Sequence, residues 1–421
     1  MNEKLFAYLN SHLVGTLERI DEANYLFSYA PAWLENPVRQ PLSLALPLQE
    51  EAFPPQTSKA FFSNLLPEGE QLREHYATKF RLSSSDDFAL LEKLAGDCAG
   101  AVSLHPQQLS PVDQTVPQGY RELDDDDLQR LFDQPYIMDT DFLGDEELRL
   151  SLAGAQDKLP IAMRNGQMTL PQQGAPSTHI LKPQSLRFDS LVENELYCMT
   201  LAKEVGLDVP EVFLYRFGDE TNYVVERYDR RINQSGRVER IHQEDFCQGT
   251  GTSHRNKYQE NGGPGHKVCF DVLKQCKNPL ADRIKLIDLT VFNYLIGNAD
   301  CHAKNISLLY PDNFRPILAP CYDLVCTLAY PPLARRLAMG IGGEFDTRNI
   351  DRSSWEEFAK EIGEGSAKPT LRALERLAGE VANKTEQTAQ GLIDRYGPCD
   401  KYGEIVEVIL RRVEVAMRQV G

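Results

Sequence analysis

Nowhere in the 421 residues is there an apolar run approaching the eighteen or so that a membrane-spanning helix needs. The start, Met1-Asn2-Glu3-Lys4-Leu5-Phe6, lacks the basic segment and apolar stretch of a secretory leader. A cytoplasmic protein that makes no membrane contact is therefore expected. Basic charge is in short supply: 45 Lys and Arg stand against 62 Asp and Glu, a net charge of −17. Such a balance excludes a chain that grips nucleic acid over much of its own surface, leaving a local basic patch or a basic partner. The nine cysteines are odd in number and form no Cys-x-x-Cys. Cys321 and Cys326 are the nearest pair, so neither a zinc ribbon nor a disulfide framework fits. A Gly-x-Gly-x-x-Gly phosphate loop is missing too.

What is present begins with short alternating runs. Residues 5–9 and 12–17 read as a hairpin about Asn10-Ser11, followed by strand-like runs at 25–29 and 42–46. Residues 58–66, 72–79 and 85–94 have helical spacing, and 100–104 closes the module as a last strand. The expected organisation is an N-terminal domain over 1–105, a linker with an acidic helix over 106–147, a strand-rich lobe over 148–240 and a helical lobe over 241–421. Asp124-Asp125-Asp126-Asp127 is a helix start rather than a metal site, because successive carboxylates on a helix point around its circumference. Asn165-Gly166 between two apolar runs marks a hairpin. Residues 190–206 read as an amphipathic helix with Leu191, Cys198, Met199, Ala202 and Val205 near one face and Gly206 as its stop. Strands first and helices later define the expected class: α+β, a two-lobed kinase-like fold behind a small α/β subdomain.

The chemistry lies in Asn298-Ala299-Asp300-Cys301-His302-Ala303-Lys304-Asn305, between an apolar helix and a strand-like run. An Asp five residues before an Asn is the spacing of a kinase catalytic loop, where the Asp takes the substrate proton and the Asn ligates Mg²⁺. Asp323, after a short hairpin, supplies the second carboxylate, and hard oxygen ligands of this kind suit Mg²⁺. Upstream, Lys182 ends an apolar strand thirteen residues before Glu195, the arrangement that holds a lysine against ATP phosphates. Glu226 to Tyr228 would connect the lobes and meet the adenine. Ser151-Leu152-Ala153-Gly154-Ala155 is rich in small residues, which lets backbone N–H groups approach a phosphate. His302 and Lys304 are candidates for phosphate contact, with bracing of the loop by hydrogen bonding as the alternative for His302. A small-molecule or lipid phosphotransferase would share the Asp–Asn spacing, and an inactive co-repressor would share the fold.

Together these strings resemble the HipA family of toxin kinases from type II toxin–antitoxin systems. The resemblance rests on Tyr29 to Leu34, Pro41 to Leu48 and Asn64 to Pro67, then on Ser151 to Lys158, Thr178 to Lys182 and Val225 to Arg231. It continues through Gln243-Glu244-Asp245, Gly262-Gly263-Pro264-Gly265, Asp300 to Asn305 and Tyr322-Asp323. It implies Asp300 as base, Asn305 and Asp323 as Mg²⁺ ligands, and ATP contacts from Lys182, Glu226, Tyr228 and Gln243. It further implies self-inactivation by autophosphorylation at Ser151 and a protein target such as glutamyl-tRNA synthetase, whose loss stalls translation. A HipB-like helix-turn-helix antitoxin would neutralise the toxin and carry the DNA affinity. Cys301 departs from the small residue the family pattern has after the base.

Overall fold

The computed structural model describes residues 3–109, 119–133, 157–172, 174–185, 187–312, 315–331, 333 and 335–420. The expected N-terminal hairpin forms as Lys4–Leu9 against His12–Arg19, with Asn10 taking the left-handed turn conformation (φ 53°) that Asn tolerates. Tyr25–Tyr29 and Val102–His105 flank it in a four-stranded antiparallel sheet. Helices Pro55–Phe62, Glu70–Phe80 and Asp87–Leu94 accompany this sheet, the last capped by Asp86, whose carboxylate accepts from Ala89 N.

The run at 42–46 is not a strand. It makes a single bridge, Ser43 to Leu46, because its polar groups are used by another part of the chain. Leu44 N donates to the Glu244 carboxylate and the Ser43 hydroxyl to the Gln248 carbonyl, while Leu42 and Leu46 sink into the module's core. The segment expected as linker also does more than connect. Gly119–Glu122 pairs with Gln167–Gln172 as an edge strand, and the acidic helix Asp125–Phe132 follows, capped by Asp124. A half-exposed edge strand shows little alternation, so nothing in residues 119–122 announced it.

The larger sheet runs in the order Gly119–Glu122, Gln167–Gln172, Leu159–Arg164, His179–Lys182, Glu220–Glu226, Val212–Phe217. Asn165 and Gly166 both have positive φ (52° and 81°), as a two-residue type I′ hairpin requires. Side chains alternate across the sheet. Leu159, Ile161, Leu181 and Val224 join the core of the N-terminal module, whereas Tyr223 and Val225 join that of the helical lobe. One sheet thus bonds to both bodies through opposite faces.

Helix Leu191–Glu204 packs beneath the sheet and is buried almost all round, from Val192 to Ala202. The expected single apolar face is too narrow for a helix lying between a sheet and other helices; Leu191 itself is only half-buried. Beyond residue 240 the chain is mainly helical: Pro279–Ile296, Lys368–Tyr396 and Asp400–Val420 pack on one another, and Trp355 is fully buried with its indole N–H on Gln419. A three-stranded sheet, His242–Asp245, Ser307–Tyr310 and Ile317–Leu318, carries the segment between helix and cleft.

Candidate active site

A cleft of about 1000 Å³ opens between the lobes, with Lys182, Asp323, Asp300, Asn305, Tyr228 and Gln243 in its wall. The N-terminal module also reaches it, through Asn64 and Glu68.

The catalytic-loop candidate is pinned at both ends. Helix Pro279–Ile296 stops at Gly297, which adopts φ 70°, and Asn298 N returns to the Asn293 carbonyl. The Asn298 side chain donates to Asn293 Oδ1 (2.8 Å) and accepts from Asp300 N (3.0 Å). Thr327 accepts from Ala299 N and donates to the Gly297 carbonyl. Asn305 Nδ2 donates to the Asp300 carbonyl (3.1 Å), closing the loop while Asp300 keeps its side chain exposed to the cleft. Cys301 fits this packing by accepting from Asn293 Nδ2 (3.3 Å).

Opposite sits Lys182. Strand alternation puts it on the same face as Ile180, towards helix Leu191–Glu204, where Glu195 lies on the second turn. Lys182 Nζ donates to Glu195 Oε1 and Oε2 at 2.8 and 3.0 Å and to Asp323 Oδ1 at 2.6 Å. Burial opposes charge on all three. For Lys182 the two carboxylates more than offset it and its pKa is raised; for Asp323 the lysines at 182 and 158 offset it and the pKa is lowered. Lys158 nearby is pushed down to about 8, by burial first and then by Lys182. Lys182 and Glu195 are nearly inaccessible, but 39% of the Asp323 side chain is exposed. Asp323, held at φ 59°, is the arm of this triad that a ligand can reach.

At the lobe connection, the N–H groups of Glu226 and Arg227 are engaged by the carbonyls of Glu211 and Thr178, so neither is spare for a base. The Tyr228 hydroxyl donates to Gln243, and its ring lies 5.7 Å from that of Tyr322. Behind them, Arg227 and Arg230 are buried against Asp229 and, from the N-terminal module, Asp97.

His302 and Lys304 face different surroundings. Burial, then Lys257, pushes His302 down to about 4, so it is neutral at pH 7. The Lys304 ammonium is occupied by Asn64 (Oδ1 at 2.7 Å, carbonyl at 3.2 Å), Asp245 (2.9 Å) and Glu68 (3.3 Å). Its donors thus serve a brace to the N-terminal module. Ser151, Leu152, Ala153, Gly154 and Ala155 lie outside the described residues. Asn64, Glu68, Lys257, Tyr258 and Asp97 are not site candidates from the sequence, although Asn64 begins one of the strings that carry the resemblance; each acts on a partner more than forty or even two hundred residues away, and no local spacing signals that.

A lysine–glutamate pair under a six-stranded sheet, a connection between lobes, and a pinned loop with Asp and Asn five apart define a protein-kinase-like phosphotransferase. The description of the HipA-like C-terminal domain matches residues 150–389, and that of the HipA N-terminal domain residues 5–105. The protein Y4mE of Sinorhizobium fredii, designated a kinase, is 40% identical over 402 residues, covering 93% of this chain and 94% of its own. The serine/threonine-protein kinase toxin HipA of Shewanella oneidensis is 33% identical over 371 residues, covering 85% and 82%. A solved structure of HipA from that organism, in complex with HipB and operator DNA, superposes with a TM-score of 0.83 at 28% identity and covers 99% of this chain and 97% of that one. The chain belongs to the HipA family and is a HipA-like serine/threonine kinase.

Proposed function

We propose that this kinase is a toxin that transfers the γ-phosphate of ATP to a serine or threonine of a cytoplasmic protein. The observation that carries the reading is Lys182, held by Glu195 and Asp323 across the cleft from the exposed Asp300. Lys182 binds ATP phosphate, and Glu195 keeps its ammonium in place. Asp300 orients the acceptor hydroxyl and takes its proton, which is how phosphoryl transfer is helped when little covalent chemistry is left to the protein. Asn305 and Asp323 present an amide oxygen and a carboxylate, a donor set suited to Mg²⁺, which would neutralise charge on the phosphates. No group of three or more His, Cys, Asp or Glu gathers as a metal cage among the described residues, in keeping with an ion held mainly by phosphate and water. Tyr228, Gln243 and the main chain at Glu226 line the nucleotide end. From the sequence, Leu152 to Ala155 are the proposed phosphate-binding run, and phosphorylation at Ser151 inactivates the enzyme by adding negative charge that repels ATP. His302, neutral and buried, braces the loop.

The toxin reading draws on the Shewanella oneidensis relative, and the partner on its complex with HipB and operator DNA. A HipB-like helix-turn-helix antitoxin neutralises this chain and supplies most of the contact with DNA, since a chain of net charge −17 is poorly suited to it. No helix among the described residues is long and apolar enough to cross a membrane. The target is an aminoacyl-tRNA synthetase of the glutamyl type, so that phosphorylation halts translation and produces growth arrest and persistence. Incubation with that synthetase, Mg²⁺ and ATP, followed by phosphopeptide mass spectrometry, tests this. One modified serine or threonine on the synthetase and one at Ser151 are expected. A synthetase left unmodified by an ATP-consuming enzyme would remove the target from the account.

A further inference from the structure

The Gly262-Gly263-Pro264-Gly265 string is not used by the nucleotide site, yet the space around it is tightly specified. A Cβ at Gly263 would lie 2.0 Å from the Asn256 carbonyl oxygen and 2.8 Å from that of Tyr258, and one at Gly265 would lie 2.6 Å from the Gln259 side chain. At Gly263 the obstacle is backbone, so only glycine fits, whereas at Gly265 it is the end of a flexible side chain. These approaches let Asn261 N and Gly263 N both donate to the Tyr258 carbonyl, winding residues 256–265 into a closed loop. The outside of that loop is fastened as well: Gln259 accepts from Gly340 N (2.9 Å), and Glu260 pairs with Arg336.

What the loop presents is Tyr258. Its hydroxyl donates to Asp300 Oδ1 at 2.7 Å, and its ring meets that of His302 edge-on with centroids 5.2 Å apart. The residue before it, Lys257, pairs with Glu68 of the N-terminal module at 2.8 Å and offers its carbonyl to Ala303 N. Residues 257 and 258 therefore touch the catalytic loop at Asp300, His302 and Ala303 together. A carboxylate has two oxygens. With Oδ1 held by a phenol, Oδ2 is left to accept the substrate hydroxyl in one fixed orientation.

We propose that Tyr258 is a positioning residue for phosphoryl transfer: the glycine-wound loop holds its hydroxyl on Asp300 and so sets the orientation of the base. This rests on the kinase reading above, with Asp300 as base. Burial, followed by the neighbouring Asp300, raises the phenol's pKa, so the hydroxyl remains a donor at neutral pH.

The test uses the full chain with Mg-ATP and a protein acceptor, and compares wild type, Tyr258→Phe, Asp300→Asn and the double variant. Tyr258→Phe keeps the ring on His302 and removes one hydrogen bond to a charged group, so kcat should fall about 10- to 100-fold. KM for ATP and Tm should stay near wild type, and adding Tyr258→Phe to Asp300→Asn should cost nothing more. Unchanged kcat in Tyr258→Phe would overturn the proposal. So would a raised kcat, which would make Tyr258 a plug on the base, and so would phosphotyrosine at 258 in the wild type, which would make it an acceptor. If Asp300→Asn retains full activity while Tyr258→Phe is impaired, the kinase reading fails at its base and takes this proposal with it.

Discussion

Two lysines are buried near the cleft, each between two carboxylates, and they do opposite work. Lys182 lies between Glu195 and Asp323, and Lys304 between Glu68 and Asp245. Around Lys304 every partner is buried, with side-chain exposures of 8% and 10% for the carboxylates, and Asn64 fills the remaining donor positions. Around Lys182 one partner, Asp323, is open to the cleft. A closed cluster fixes two parts of the chain together; an open one keeps a charge ready for a ligand that enters later. Charge and burial alone do not separate a brace from a binding site. The exposure of the partners does.

Breaking the closed cluster should have the largest effect on folding. Lys304→Ala leaves Asp245 buried without its cation and Glu68 with Lys257 alone, which costs about 3–5 kcal/mol. A large fall in Tm is expected, with KM for ATP little changed in whatever protein remains folded. Lys182→Ala strands the buried Glu195 and lowers Tm as well, but its distinguishing effect is on the nucleotide site. Removing the ammonium from the phosphate site should raise KM for ATP and lower kcat, together by about 100-fold, equivalent to ~2.7 kcal/mol. If the two variants exchange these phenotypes, the distinction drawn from partner exposure is wrong.

Glu244 sharpens the comparison, being a buried carboxyl at the same junction whose contacts are Leu44 N and the Tyr310 hydroxyl rather than a lysine. Burial raises its pKa to about 7, from an ordinary value of 4.5. A carboxyl shifted upwards is favoured protonated in the folded state. Its contribution is therefore complete below pH 4.5 and lost as the pH rises through 7. Glu244→Gln, neutral at every pH, should match wild type near pH 4.5 and exceed it by about 1–2 kcal/mol at pH 8 in denaturant melts. A variant less stable at pH 8 than at pH 4.5, in parallel with wild type, would show that Glu244 is not the titrating group.

The same contrast explains what could be read from the chain. Lys182, Glu195, Asp300, Asn305 and Asp323 were legible because each sits at a fixed spacing from a strand or helix end, and kinase chemistry demands those spacings. The hairpin at Asn165-Gly166 was legible because that turn needs two residues that accept positive φ. The position of Lys304 in the loop suggests phosphate and it does line the cleft, whereas its partners at 64, 68 and 245 are set by domain docking, which no local spacing signals. The strand expected at 42–46 failed for the same cause, since alternation there reflects docking against Glu244 and Gln248 rather than pairing in a sheet. Gly119–Glu122 was hidden by being a short, half-exposed edge. The glycine string was visible, but the clash it avoids involves carbonyls that only the folded loop brings near.

The central claim is that Asp300 is the base of a protein kinase. Wild type and Asp300→Asn should be incubated with γ-labelled ATP and Mg²⁺, with ATP affinity measured alongside and phosphoserine and phosphothreonine scored on protein. Wild type should transfer label to protein, and Asp300→Asn should bind ATP equally well while transferring it at least about 1000-fold more slowly. Equal transfer by the two proteins, or an unlabelled protein fraction from a wild type that binds ATP, would contradict the account.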